Sequence, residues 1–301
     1  MGAWNTTAVV LALAAAAPLP VVPRERIGVF LRCTGEEDPG RALAVVKALG
    51  LDRVQVSRLP DRFYTPEGAR EVAAMLKEAA VRADAVVVVF EGERYADQET
   101  VRRTVGLRPA DLRPARLLYA RRCIDFAKAI GTGIVTLHMG FLPRDPADPL
   151  YGEMRDAVAD LAAYGASRGV TLSLETGQET GEELLRFLDS ITAVRVGVNF
   201  DTANLVLYGL DESPRALGQL MGRVTSVHVK DGLLPADARS LGREVPLGEG
   251  RAQVRECLRR LEAAGFRGPL IIENYTWRAR GTAPSEALAK ARDFLLGVGQ
   301  P

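Results

Sequence analysis

The chain is poor in the residues that mark several protein classes. It has two histidines, His138 and His228, and three cysteines, Cys33, Cys123 and Cys257. The cysteines are odd in number, scattered and without CxxC spacing, which argues against a disulfide framework or a zinc–thiolate site. Lys and Arg (39) nearly balance Asp and Glu (38), giving a net charge of +1 with the two signs interspersed. No basic block or tail offers nucleic acid a footprint, so that partner is not expected. No membrane partner is expected either, because the apolar run at residues 9–22 (VVLALAAAAPLPVV) is too short to cross a bilayer. The run is similar to the apolar core of a secretory signal, and its alanines offer an A-x-A cleavage site. However, no Lys or Arg precedes Arg24, so the positive leading region is missing. Residues 1–25 are therefore read as an extension ahead of the fold, disordered or signal-like. A cytoplasmic location is expected, with export as the alternative.

What is present is an alternation. Hydrophobic residues make up 47% of 301, enough to bury a large core. Strand-like runs occur at residues 26–32 (RIGVFLR), 53–59 (RVQVSRL), 85–91 (AVVVVFE), 133–138 (GIVTLH), 170–177 (VTLSLETG), 196–204 (VGVNFDTAN), 224–231 (VTSVHVKD) and 268–275 (GPLIIENY). Helical spacing follows each, at residues 38–49, 66–80, 114–130, 151–168, 181–190, 214–221, 253–264 and 285–296. Residues 92–113 read as a long polar loop with no apolar period. Eight strand–helix units of this size predict an α/β fold, a single (β/α)8 barrel over residues 26–301. The rival, a doubly wound open sheet, would carry a glycine-rich phosphate turn after the first strand; the CTGEED found there lacks GxGxxG.

Four strands end in side chains able to bind a metal: Glu175, Asp201, His228 and Glu273. Each follows apolar residues, and a buried carboxylate needs a cation or a partner. One such acid alone reads as an ion pair or a helix cap. Four coordinating residues on successive strands, at the barrel end where active sites lie, form a ligand set for one hard or borderline divalent cation.

These motifs together resemble the sugar phosphate isomerase/epimerase group of the xylose-isomerase-like TIM-barrel superfamily. They are LSLETG, VNFDTANLVLYG, SVHVKDG, the glycine loop REVPLGEG, and IIENY. The resemblance covers about residues 26–298. It implies that Glu175, Asp201, His228 and Glu273 bind one divalent ion, manganese first, with magnesium, cobalt or zinc as alternatives. It also implies that Glu175 and Glu273 flank the substrate as the acid/base pair. A ketose or related α-hydroxy-carbonyl compound would then lose its α-proton to one carboxylate, pass through an ene-diolate, and regain a proton on the other face or the neighbouring carbon.

By the same resemblance His138, in TLHMG, contacts substrate; a structural hydrogen bond to a strand-end acid is the plainer alternative. Lys230 reads either as a ligand for substrate oxygens or as an ion-pair partner of a metal-site acid. Asn204 is a third candidate substrate contact; it stands where a common family pattern has a His three residues after the Asp and many members carry Asn, which puts in doubt direct transfer from ketose 3-epimerases or hydroxypyruvate isomerases. Tyr275 and Trp277 are expected to pack at the core or rim. The partner expected is a small-molecule sugar or polyol. Members are often dimers or tetramers, so a homo-oligomer is an open expectation. A dehydratase on a keto-inositol or cyclic polyol, and a barrel that binds a metabolite without turnover, are the competing functions. Endonuclease IV shares the barrel but needs more histidines for its three zinc ions than this chain has.

Overall fold

Eight parallel strands close on themselves in the computed structural model, which describes residues 22–297. The extension expected at residues 1–25 lies, up to residue 21, outside the described residues. Val22 is buried, and its N–H donates to the Leu295 carbonyl at 3.1 Å.

The barrel strands are β1 (Ile27–Phe30), β2 (Arg53–Ser57), β3 (Arg82–Val88), β4 (Ile134–Leu137), β5 (Thr171–Glu175), β6 (Gly197–Asp201), β7 (Val224–Val229) and β10 (Leu270–Ile272). A two-stranded antiparallel ribbon, β8 (Asp231–Leu233) with β9 (Arg243–Val245), intervenes between β7 and β10. Each barrel strand meets its sequence neighbour, and β10 closes the ring by pairing with both β7 and β1. The strands are rich in Val, Ile and Leu and buried on both faces, one against helices and the other inside the barrel.

The outer helices begin where the sequence supplies an acceptor for the first free N–H groups. Asp38 Oδ1 accepts from Arg41 N, Thr65 Oγ1 from Gly68 N, and Asp148 Oδ1 from Leu150 N. Thr180 and Glu183 close a reciprocal capping box at the helix Gly181–Asp189. That helix buries Leu184, Phe187 and Leu188, and Phe187 meets Tyr151 edge-on at 5.4 Å.

Four local expectations are corrected. The first strand stops at Phe30, and Leu31–Thr34 is a 3-10 turn leading to Gly35 at φ 77°. The third strand starts at Arg82, because Asp84 is held by Arg53 of β2 at 2.7 Å and so can be buried within the strand. Residues 92–113 contain a helix, Gln98–Thr104, capped by Asp97 and anchored by buried Val101. The glycine loop after β7 contains the β8–β9 ribbon.

Asp231 explains that last feature. Its Oδ1 accepts from the N–H groups of Gly232 and Ala252, and its Oδ2 from those of Gly248 and Gly250, at 2.9–3.1 Å. One buried carboxylate thus gathers the loop that follows the ribbon. The approach is so close at residue 250 that a Cβ there would lie 2.0 Å from Asp231 Oδ1, so glycine is required.

Candidate metal and active site

The C-terminal ends of β5, β6 and β7, and the residue just past β10, point four side chains at one place. Ligand atoms of Glu175, Asp201, His228 and Glu273 all lie within 4.8 Å of one another. Parallel register brings them there: Asp201 pairs with His228 across β6–β7, and Ile272 pairs with Val229, which puts Glu273 level with Lys230. His228 Nδ1 is 3.1 Å from Glu175 Oε1, 2.9 Å from Glu273 Oε2 and 3.8 Å from Asp201 Oδ2.

Each group is oriented by a partner on its other side. His228 Nε2 contacts Gln55 Oε1 of β2 at 2.5 Å, so the Nε2 hydrogen is donated outward and Nδ1 faces the acids. Asp201 Oδ1 accepts from the N–H groups of Ala203 and Asn204, both at 2.8 Å, leaving Oδ2 for the cluster. Asn204 Nδ2 donates to Glu175 Oε1 at 3.3 Å and to the Thr176 carbonyl at 3.1 Å. Asp201 Oδ2 and Glu273 Oε2 are buried without a hydrogen-bond partner. Lys230 Nζ stands 3.0 Å from each, at ion-pair distance but without hydrogen-bond geometry. Three oxygens and one imidazole nitrogen, two of the oxygens orphaned, fit a divalent cation of the hard or borderline kind.

The electrostatics are those of a site built for positive charge. Burial disfavours the His228 cation, but the Glu175 and Glu273 carboxylates outweigh it and push its pKa up to about 10. Burial raises the Asp201 carboxyl to about 6 against the opposing pull of Lys230. Burial acts the same way on Glu273, yet Lys230 and His228 hold it well below the ordinary carboxylate range. A cation that binds here must displace the proton on His228 Nδ1. Because the folded pKa lies far above neutrality, that proton is still present at pH 7 and leaves as pH rises toward 10. Metal affinity is therefore expected to rise with pH across the neutral range, with release of about one proton per ion near pH 7. Below about pH 6 the protonation of Asp201 adds to the loss. Calorimetry in two buffers of different ionisation enthalpy measures the protons directly.

The other expected site residues lie around this cluster. His138 Nε2 is 3.4 Å from Glu175 Oε1, and its Nδ1 is 3.5 Å from Gln178 Nε2, with part of the ring exposed. Lys230 turns to the acids and Asn204 to Glu175. Tyr275 donates its N–H to Glu244 Oε1 at 2.6 Å, while Trp277 lines a neighbouring cleft.

Several further residues were not singled out in the sequence. Gln55 anchors His228; its inward place in the alternation VQVS was the available signal. Gln178 donates to the Tyr208 hydroxyl at 3.1 Å. Tyr95, on the 92–113 segment, lies over His138 with ring centroids 6.1 Å apart. Glu244, on β9, has its carboxyl raised to about 7, burial outweighing the nearby Lys230.

A cleft of about 1080 Å³ opens at the ends of β1, β2 and β3. Arg32, Arg58, Arg122 and Arg278 line it together with Phe90, Tyr119 and Trp277. Ser57, two residues beyond Gln55, contributes a buried hydroxyl with no partner. All three cysteines are buried and free. No helix among the described residues is long and apolar enough to cross a membrane.

Comparison with known proteins agrees with the fold. The chain is 24% identical over 263 residues to the L-ribulose-5-phosphate 3-epimerase of Escherichia fergusonii, covering 84% of this chain and 87% of that protein. A crystal structure of a xylose isomerase domain protein from Planctomyces limnophilus superposes with a TM-score of 0.79 at 34% identity, over 85% of this chain and 90% of that one. A xylose isomerase-like TIM barrel protein from Mycobacterium smegmatis, solved in complex with magnesium, shares the fold at 20% identity and a TM-score of 0.65, over 86% of this chain and 87% of that one. With its closed barrel and a family model matching residues 43–296, the chain belongs to the xylose isomerase-like TIM barrel family.

Proposed function

We propose that the protein is a divalent-cation-dependent isomerase or epimerase acting on a ketose or related α-hydroxy-carbonyl compound. The observation that carries this reading is the convergence of Glu175, Asp201, His228 and Glu273 within 4.8 Å at the C-terminal mouth of the barrel. The epimerase activity of the E. fergusonii relative and the magnesium complex of the M. smegmatis barrel support it. Manganese is the ion proposed, with magnesium, cobalt and zinc suited to the same donors.

A bound divalent ion would polarise the substrate carbonyl and so acidify the adjacent C–H. Glu175, Asp201, His228 and Glu273 would hold it. Glu273, kept ionised by Lys230 and His228, would accept the α-proton; Glu175, also held ionised by His138 and His228, would pair with it as the second acid/base group and must itself take up a proton before it can return one. His138, beside Glu175 and partly exposed, is placed to hydrogen-bond a substrate hydroxyl. Lys230 would face oxygen charge that develops as the proton leaves. Asn204 acts on substrate through Glu175, which it orients.

The first test is metal analysis of the purified protein beside the Glu175→Gln/Glu273→Gln double variant. About one tightly held divalent ion per chain, lost in the variant, is the expected result. No ion, even after reconstitution with manganese, cobalt, magnesium or zinc, would sink the reading. Product mass then separates isomerisation, which conserves it, from dehydration, which loses water.

A further inference from the structure

Lys230 offers a positive charge to the same two oxygens that a metal ion would use. It projects from the end of β7, is 7% exposed, and places Nζ 3.0 Å from Asp201 Oδ2 and 3.0 Å from Glu273 Oε2. Neither oxygen has a hydrogen-bond partner. Among the described residues, no other Lys or Arg lies within ion-pair distance of the four clustered side chains. An ammonium shared between two carboxylate oxygens at 3.0 Å sits where a divalent cation would bind and can be displaced by it.

We propose that Lys230 contests these oxygens with the divalent ion. Loading the site then drives Nζ off the carboxylates and toward the open side of the barrel mouth, and the lysine keeps metal affinity below what the carboxylates alone would give. The proposal rests on the reading that the cluster holds a cation. Its purpose follows from charge. Three carboxylates around a dication leave one net negative charge, which a nearby ammonium cancels. A neutral site accepts the negative charge that spreads over substrate oxygens during proton removal; a negative one resists it. Lys230 thus trades tightness of metal binding for tolerance of that charge.

The decisive experiment titrates manganese into the wild-type protein and the Lys230→Met variant, each stripped of metal beforehand, by calorimetry. The expected result is a Kd lower by at least about tenfold in the variant, together with a reduced kcat. An equal or weaker affinity would overturn the proposal, because a lysine that merely held the carboxylates in place would loosen the metal when removed. Absence of binding to either protein would overturn it too, and would do so by removing the metal reading itself. A second measurement needs no variant. Acetylation of wild-type lysines, read by mass spectrometry with and without manganese, should show Lys230 becoming more reactive relative to Lys47, Lys77, Lys128 and Lys290 on metal addition. Unchanged or lower reactivity at Lys230 would contradict its displacement.

Discussion

Glu273→Gln is expected to lower kcat by about three orders of magnitude while the barrel stays folded. The side chain sits just past β10, where Oε2 is 2.9 Å from His228 Nδ1 and 3.0 Å from Lys230 Nζ. Glutamine keeps the size and one oxygen but loses the charge, so it can neither accept the α-proton nor balance two cations. The strand behind it is untouched: Leu270, Ile271 and Ile272 remain fully packed between β1 and β7. Circular dichroism should therefore be unchanged, and metal content separates two routes to inactivity. An inactive variant that retains its ion assigns Glu273 to proton transfer. One that loses the ion assigns it chiefly to metal binding. Activity near that of the wild type would remove Glu273 from the chemistry.

Asp231→Ala should destabilise the protein by about 4 kcal/mol and unfasten the loop at residues 246–252. The carboxylate accepts four backbone N–H groups, and its removal leaves those of Gly232, Gly248, Gly250 and Ala252 without their acceptor. Each buried donor left unmet costs about 1–3 kcal/mol, reduced where water can enter. Asparagine should recover only part of the loss, since its amide offers one acceptor oxygen where the carboxylate offers two. Urea unfolding gives the stability, and limited proteolysis reports whether cleavage moves to the released loop. The site should feel the change through β9, because Glu244 on that strand accepts the Tyr275 N–H two residues beyond Glu273. An unfolding midpoint within experimental error of the wild type would show that the loop is held by other contacts.

The fold was legible because a (β/α)8 barrel writes its period into the chain. Apolar β-branched runs alternate with capped helices, and the metal-capable residues stand at strand exits, where they interrupt apolar patterns. The cluster of Glu175, Asp201, His228 and Glu273 was readable for that reason. What surrounds them was not. Gln55 meets His228 across 173 residues of sequence, and nothing in RVQVS says which residue it will face once the barrel closes. Asn204 was a candidate substrate contact by family resemblance, whereas at the start of the short helix Asn204–Leu207 its amide donates to Glu175. The helix Gln98–Thr104 escaped notice because seven residues are too few for an apolar period; its fixing contact, Gln98 N–H to the Arg239 carbonyl at 2.9 Å, is with a distant loop. The β8–β9 ribbon likewise depends on Asp231 meeting amides up to 21 residues away.

The barrel divides its labour unevenly around the ring. Every clustered side chain comes from the arc β5, β6, β7 and β10, whereas the cleft at β1–β3 is walled chiefly by residues 31–122. Gln55 of β2 reaches across to His228, and Phe30 of β1 packs against the same ring with centroids 5.5 Å apart. For anyone redesigning the protein, the two halves behave as nearly separable modules. Exchanging segments 57–61 and 89–92 between homologous barrels would remodel the cleft wall without touching Glu175, Asp201, His228 or Glu273. Gln55 is the position that such a graft must carry over unchanged.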